Sequence, residues 1–90
     1  MSDVHNNNEH SSYEIVQDGH TAYAAYQIDG DTITLTHTVV PDAFRGQGIG
    51  SKLVEGALGD VRSRGLKVAP QCSFVAAYIA RHPEWKDLLA

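Results

Sequence analysis

Two hydrophobic periods divide this chain. From residue 13 to 40 apolar and polar positions alternate with period two, the spacing of strands that bury one face. Residues 13–17 are a short β-prone run, and Asp18-Gly19 supplies the two positive-φ positions of a tight hairpin. Residues 21–28 put Ala22, Ala24, Tyr26 and Ile28 on one face, with Thr21, Tyr23, Ala25 and Gln27 on the other. A second turn, Asp29-Gly30-Asp31, returns the chain. Residues 32–40 then set Ile33, Leu35, His37 and Val39 against Thr32, Thr34, Thr36, Thr38 and Val40. Pro41 ends the ladder because it has no N–H to donate. Three runs joined by two tight turns predict an antiparallel meander.

Beyond residue 48 the period becomes helical. Ile49, Leu53, Val54, Ala57, Leu58 and Val61 recur on one stripe and predict a helix over 48–64, closed by Gly65 as C-cap. Residues 66–69 are short and apolar and end at Pro70. After a crossover helix such a strand is expected to run parallel to the sheet. Ser73 is the expected N-cap of a last helix, with Phe74, Val75, Tyr78 and Ile79 as its apolar stripe and Pro83 beyond its end. Trp85, Leu88 and Leu89 in the tail can pack back on the core. The fold class is therefore α/β (α+β): a mostly antiparallel, mixed sheet of four strands, three in a meander and one parallel, with two helices.

Composition narrows the picture. The 90 residues are enough for one small domain, of which folding buries roughly 60–65% of the chain's surface. Residues 1–12 are polar, Asn-rich and aperiodic and read as a disordered tail before a domain at 13–90. His5 and His10 lie in that tail without evident metal-binding partners, and no metal site is expected. A net charge of −4 and the lack of a basic patch argue against nucleic acid as partner. No apolar run approaches the ~18 residues of a membrane span. The start has no basic, then apolar, secretory signal, and one cysteine makes no internal disulfide, so a reduced cytoplasmic setting is expected.

The chemistry concentrates at Arg45-Gly46-Gln47-Gly48-Ile49-Gly50, between strand and helix. Alternate glycines let a ligand approach the backbone, and the helix N-terminus presents free N–H groups to an anion. A bare glycine-rich connector is the alternative. The spacing fails the phosphate-loop pattern, since Ser51-Lys52 stands where Gly-Lys-Ser/Thr is needed. It also fails the dinucleotide pattern, whose third glycine lies farther on and whose strand is parallel.

The turn resembles the coenzyme A pyrophosphate loop of the GNAT superfamily of acyl-CoA-dependent N-acetyltransferases. Val39-Val40-Pro41, Phe44-Arg45-Gly46 and Ser51-Lys52-Leu53 are similar to that family as well. The run 67–75, from Lys67 through Cys72 to Val75, followed by Tyr78 and His82-Pro83-Glu84-Trp85, resembles a subgroup of very short members with a Cys after the last strand. The resemblance implies acetyl-CoA as cosubstrate and an amine acceptor, on a small molecule or a protein. It implies that the backbone of Thr38, Val39 and Val40 pairs with the pantetheine arm. It also implies that Arg45, Gly46, Gln47, Gly48, Ile49, Gly50 and Ser51 hold the pyrophosphate, with Lys52 as a further cation. Full-length members have helices before the meander that build the acceptor site; here the chain goes almost straight into strands. The subgroup's glutamate before the proline is replaced by Val39, which leaves His37 as a candidate base, or else a half-buried histidine hydrogen-bonded to a neighbour. Tyr78 is the candidate proton donor to the leaving thiolate, or else one aromatic of the apolar stripe. Cys72, at a helix start, is a candidate acyl acceptor, or else a small buried hydrophobe. A coenzyme A-binding module without transferase activity, or an interaction domain completed by a partner, are the competing readings. Neither the acceptor nor the oligomeric state follows from the sequence.

Overall fold

The computed structural model describes residues 4–90. Five strands form one sheet in the order β1-β2-β3-β4-β5. They are β1 (His5–Asn7), β2 (Ser12–Gln17), β3 (His20–Asp29), β4 (Thr32–Val39) and β5 (Lys67–Pro70). The first four pair antiparallel, and β5 runs parallel to β4. Helix α1 (Ile49–Ser63) makes the crossover, α2 (Ser73–Arg81) follows β5, and a short 3-10 helix (Pro83–Leu88) completes the chain.

The hairpin and helix signals are realised in the backbone. Asp18 and Gly19 both have positive φ, 53° and 77°, as a tight two-residue turn demands. Gly65 follows α1 at φ 69°, and the Leu66 N–H bonds back to the Val61 carbonyl. The core is a single cluster that joins Tyr13, Ile15, Ala22, Ala24, Tyr26, Ile33, Leu35 and Val68 of the sheet to the buried stripes of both helices. Both helices lie on that face. The other face carries Glu14, Tyr23, Ala25, Thr32, Thr34 and His37, and no helix covers it among the described residues.

Four expectations need correction. The sheet has five strands, not four, because His5–Asn7 of the supposed tail pairs with β2. Side-chain amides hold it: the Tyr26 hydroxyl donates to Asn6 Oδ1 at 2.7 Å, and Asn7 Nδ2 donates to Glu14 at 3.2 Å. The part of the tail at residues 1–3 lies outside the described residues. The N-cap of α2 is Cys72, and Ser73 is its first helical residue. The Leu89 side chain is 40% exposed, its backbone instead bridging to Val68 in parallel fashion. Finally, β4 does not keep one phase. Ala25 pairs with His37 and Tyr26 with Leu35, so Thr36 is an extra, bulged residue. Beyond the bulge Thr38 joins Ile33 and Leu35 on the helix side, while His37 and Val39 turn to the open face.

Candidate functional site

The bulge sits where β4 parts from β5. Their pairing ends at Leu35 and Pro70, and the Cys72 N–H closes it by donating to the Leu35 carbonyl at 3.0 Å. From Thr36 to Val39 that edge of β4 has no strand beside it among the described residues. A bulged strand bends and twists away from its neighbour, so the gap follows from the extra residue.

Past the gap, Pro41 leads into a single 3-10 turn, Asp42–Phe44, which Phe44 anchors in the core at 2% exposure. Gly46 and Gly48 then take left-handed φ values of 79° and 68°, the region that favours glycine. Gly48 is the N-cap of α1 and contributes no side-chain cap. The first backbone bond into the helix is Lys52 N–H to Gly48 O at 3.1 Å, so the N–H groups of Ile49, Gly50 and Ser51 remain as open donors among the described residues. A Cβ on Gly46 or Gly48 would meet nothing within 4 Å, so the space beside the turn is free. Gln47 steadies the turn, donating to the Ala43 carbonyl at 3.3 Å and accepting from Gln17 at 3.2 Å. Arg45 is exposed, with only a loose 3.6 Å pairing to Asp42, and keeps its charge available.

These groups line a cavity of about 280 Å³ whose far wall is Phe74 of α2. The Phe74 ring lies over Gly50, where a Cβ would come within 2.8 Å of it. Sequence reading assigned Phe74 to the apolar stripe. Its 43% exposure instead marks it as a wall of the site, and no periodicity signal distinguishes the two. Through Ser51 and Phe74 the cavity continues along the α1–α2 groove to Tyr78 and Arg81, and then to Lys52, Glu55 and His82.

The three candidate catalytic residues occupy different settings. Cys72 Sγ lies 3.3 Å from Thr38 Oγ1, on the helix side of the gap. Burial pushes its thiol pKa up, but the Thr38 hydroxyl and the N–H groups of Val75, Phe74 and Thr38 more than offset this, and the net pKa is lowered. Phe74 and Val75 aim their N–H groups at the sulfur without closing a capping bond. Tyr78 is buried between the helices and stacked on His82 with ring centroids 4.2 Å apart. Burial first, then the Glu55 charge, raises its pKa and keeps its proton on. His37 is exposed on the open face, the opposite side of the sheet from Cys72. Of the coenzyme loop residues, Val40, Arg45, Gly46, Gly48, Ile49, Gly50 and Ser51 share the cavity, and Thr38 and Val39 lie on the unpaired edge of β4.

A family model described as GCN5-related N-acetyl-transferase matches residues 12–88 of this chain. The chain belongs to that family. The solution structure, by NMR, of a GCN5-like protein from Staphylococcus aureus superposes with a TM-score of 0.75 at 27% identity, covering 100% of this chain and 91% of the other. Protein NATD1 of Xenopus tropicalis is 40% identical over 52 residues, which are 58% of this chain and 48% of that protein. Protein NATD1 of Homo sapiens is 38% identical over 63 residues, 69% of this chain and 56% of that protein. The chain thus spans about half the length of the curated relatives it matches. As a GCN5-related N-acetyltransferase fold it contains the glycine turn, the parted strands and the cysteine at the helix start in one contiguous region.

Proposed function

We propose that this protein binds acetyl-CoA at the glycine turn and transfers the acetyl group to an amine. The observation that carries the reading is the set of open N–H donors of Ile49, Gly50 and Ser51 beside a free cavity, next to the unpaired edge of β4. Acetyl-CoA supplies an acetyl thioester; its C–S bond is exchanged for a C–N bond, and one proton passes from nitrogen to sulfur.

Each residue then has a defined task. The turn's N–H groups receive the pyrophosphate, with the α1 dipole adding to the attraction. Arg45 contributes charge at the rim. Lys52 and Arg81 add positive charge beside the continuing groove. The backbone of Thr38 to Val40 offers pantetheine a strand-like partner, which orients the thioester toward Cys72. Cys72, with its lowered pKa, is suited either to accept the acetyl group transiently or to hold the leaving thiolate's surroundings polar. Tyr78 holds a proton that the thiolate can take. His37 lies where an amine arriving over the open face can lose its proton to it.

Calorimetric titration with acetyl-CoA tests the cofactor claim, and the expected outcome is saturable binding that weakens at least tenfold in Gly48→Glu. Dephospho-coenzyme A is expected to bind less tightly than coenzyme A. Equal affinity of native protein and Gly48→Glu means that the loop is misassigned. Val39, where the resemblance to the short subgroup implies a glutamate, favours one second reading, a coenzyme A-binding module without turnover. Saturable binding with no release of free coenzyme A across a panel of amines selects it.

A further inference from the structure

The helix side of the sheet is closed: Ala22, Ala24 and Leu35 have no exposed surface beneath α1 and α2. The open face is different. Two rows of side chains cross it from strand to strand. One runs Asn7, Ser12, Ala25, His37, and the other runs His5, Glu14, Tyr23, Val39. Both rows end on β4, at the stretch where its edge is unpaired. At their β2–β3 end lies a cavity of about 230 Å³ lined by His10, Ser12, Glu14, Tyr23 and Ala25.

Glu14 is the one anion in that lining, and it is half-buried. Two donors fix it, the Ser12 hydroxyl at 2.9 Å and Asn7 Nδ2 at 3.2 Å, and both bond the same oxygen, Oε2. Oε1 has no partner among the described residues. Nor does the carboxylate pair with a Lys or Arg there, although every other contact that positions it is in place. A held carboxylate without a counter-cation, beside the ring of Tyr23, is the chemistry that binds an ammonium group.

We propose that the open face receives the acceptor and that the Glu14 cavity holds a protonated nitrogen of it, distinct from the nitrogen that is acetylated. The proposal rests on the transfer reading above. Glu14 on β2 and the free edge of β4 are two strand spacings apart, about 10 Å. The preferred acceptor therefore carries two nitrogens about that far apart. Tyr23 lies between the two ends and the 42%-exposed Val39 at the β4 end, and together they give an alkyl chain an apolar track. His37, in the neighbouring row, flanks the reacting end.

The test compares diaminoheptane with heptylamine, which has the same chain and lacks the second nitrogen. With acetyl-CoA, release of free coenzyme A should show kcat/KM at least about tenfold higher for the diamine. In Glu14→Gln that preference should collapse to parity. The amide retains an oxygen for Ser12 and Asn7, and unchanged acetyl-CoA affinity verifies the fold. Equal kcat/KM for the two amines in the native protein overturns the proposal, as does a preference that survives Glu14→Gln. If neither amine releases coenzyme A, neither is an acceptor, the transfer reading is judged on the wider amine panel, and NMR decides the site. Diamine-induced shifts of the Tyr23 and Ala25 amides that vanish in Glu14→Gln then support it, and native spectra that do not shift refute it.

Discussion

Cys72 stands where a helix ordinarily takes Ser, Thr, Asp or Asn, and its sulfur meets a hydroxyl rather than a hydrocarbon. The direction of its pKa has a definite source. Burial alone would favour the neutral thiol, and the donors from Thr38 and the first turn of α2 reverse that preference. Thiolate therefore forms at lower pH than in an ordinary cysteine. Thr38→Val removes the hydroxyl while keeping the side-chain shape, so the thiol pKa should rise. Alkylation by iodoacetamide, followed by mass spectrometry across a pH series, should be several-fold slower at neutral pH in the variant, with the curve displaced to higher pH. An unmoved curve would assign the lowered pKa to the backbone donors alone.

At the scale of elements, one bond ties the meander to the crossover helix: the Tyr13 hydroxyl donates to Asp60 Oδ2 at 2.7 Å. Burial, and next the Asp60 carboxylate, push the Tyr13 pKa far up. The folded protein thus keeps a proton that the unfolded chain releases near pH 10. This raised pKa contributes stability that is fully present below about pH 10 and is lost as pH rises beyond it. Tyr13→Phe should cost about 1–2 kcal/mol at neutral pH, since Asp60 is left with a weaker set of partners. It should also flatten the alkaline fall in stability, which urea unfolding between neutral pH and pH ~11 measures directly. The elements themselves were largely legible. Asp18-Gly19, the stripe of α1, Gly65 and the glycine turn each carry a local backbone demand that residue type reveals. The bulge was not, because threonine suits either face and the run Thr32, Thr34, Thr36, Thr38 continues through the shift without a mark. Strand β1 was hidden for another reason: Asn6 and Asn7 hold it by amide hydrogen bonds, which leave no hydropathic signal. Phe74 and Glu14 escaped because their importance lies in what the fold brings beside them.

On the scale of the whole molecule, the Cα radius of gyration is 12.2 Å, the value of about 12 Å expected for a compact chain of this length. Among the described residues the packing is complete on one side of the sheet, and the other face stays open. A 90-residue domain has a small unfolding entropy, so ligand binding should move its melting temperature strongly. Acetyl-CoA at a hundredfold excess over Kd adds about 2.7 kcal/mol, which corresponds to a rise of about 10–15 °C in a thermal scan. A rise of that size with acetyl-CoA, absent with inorganic pyrophosphate at equal concentration, would separate recognition of the whole cosubstrate from anion binding alone.

The single extra residue at Thr36 has a consequence for how such a protein can change. Its hydroxyl lies 3.3 Å from the Ala25 carbonyl, and the residues on either side of it already face opposite ways. Deleting it would leave Leu35 inward, His37 outward and Thr38 inward, so the core would not register the loss. What would alter is the angle at which β4 leaves β5. Chain length at this one position is thus a dial on the width of the gap, adjustable by insertion or deletion while the hydrophobic interior stays under separate selection.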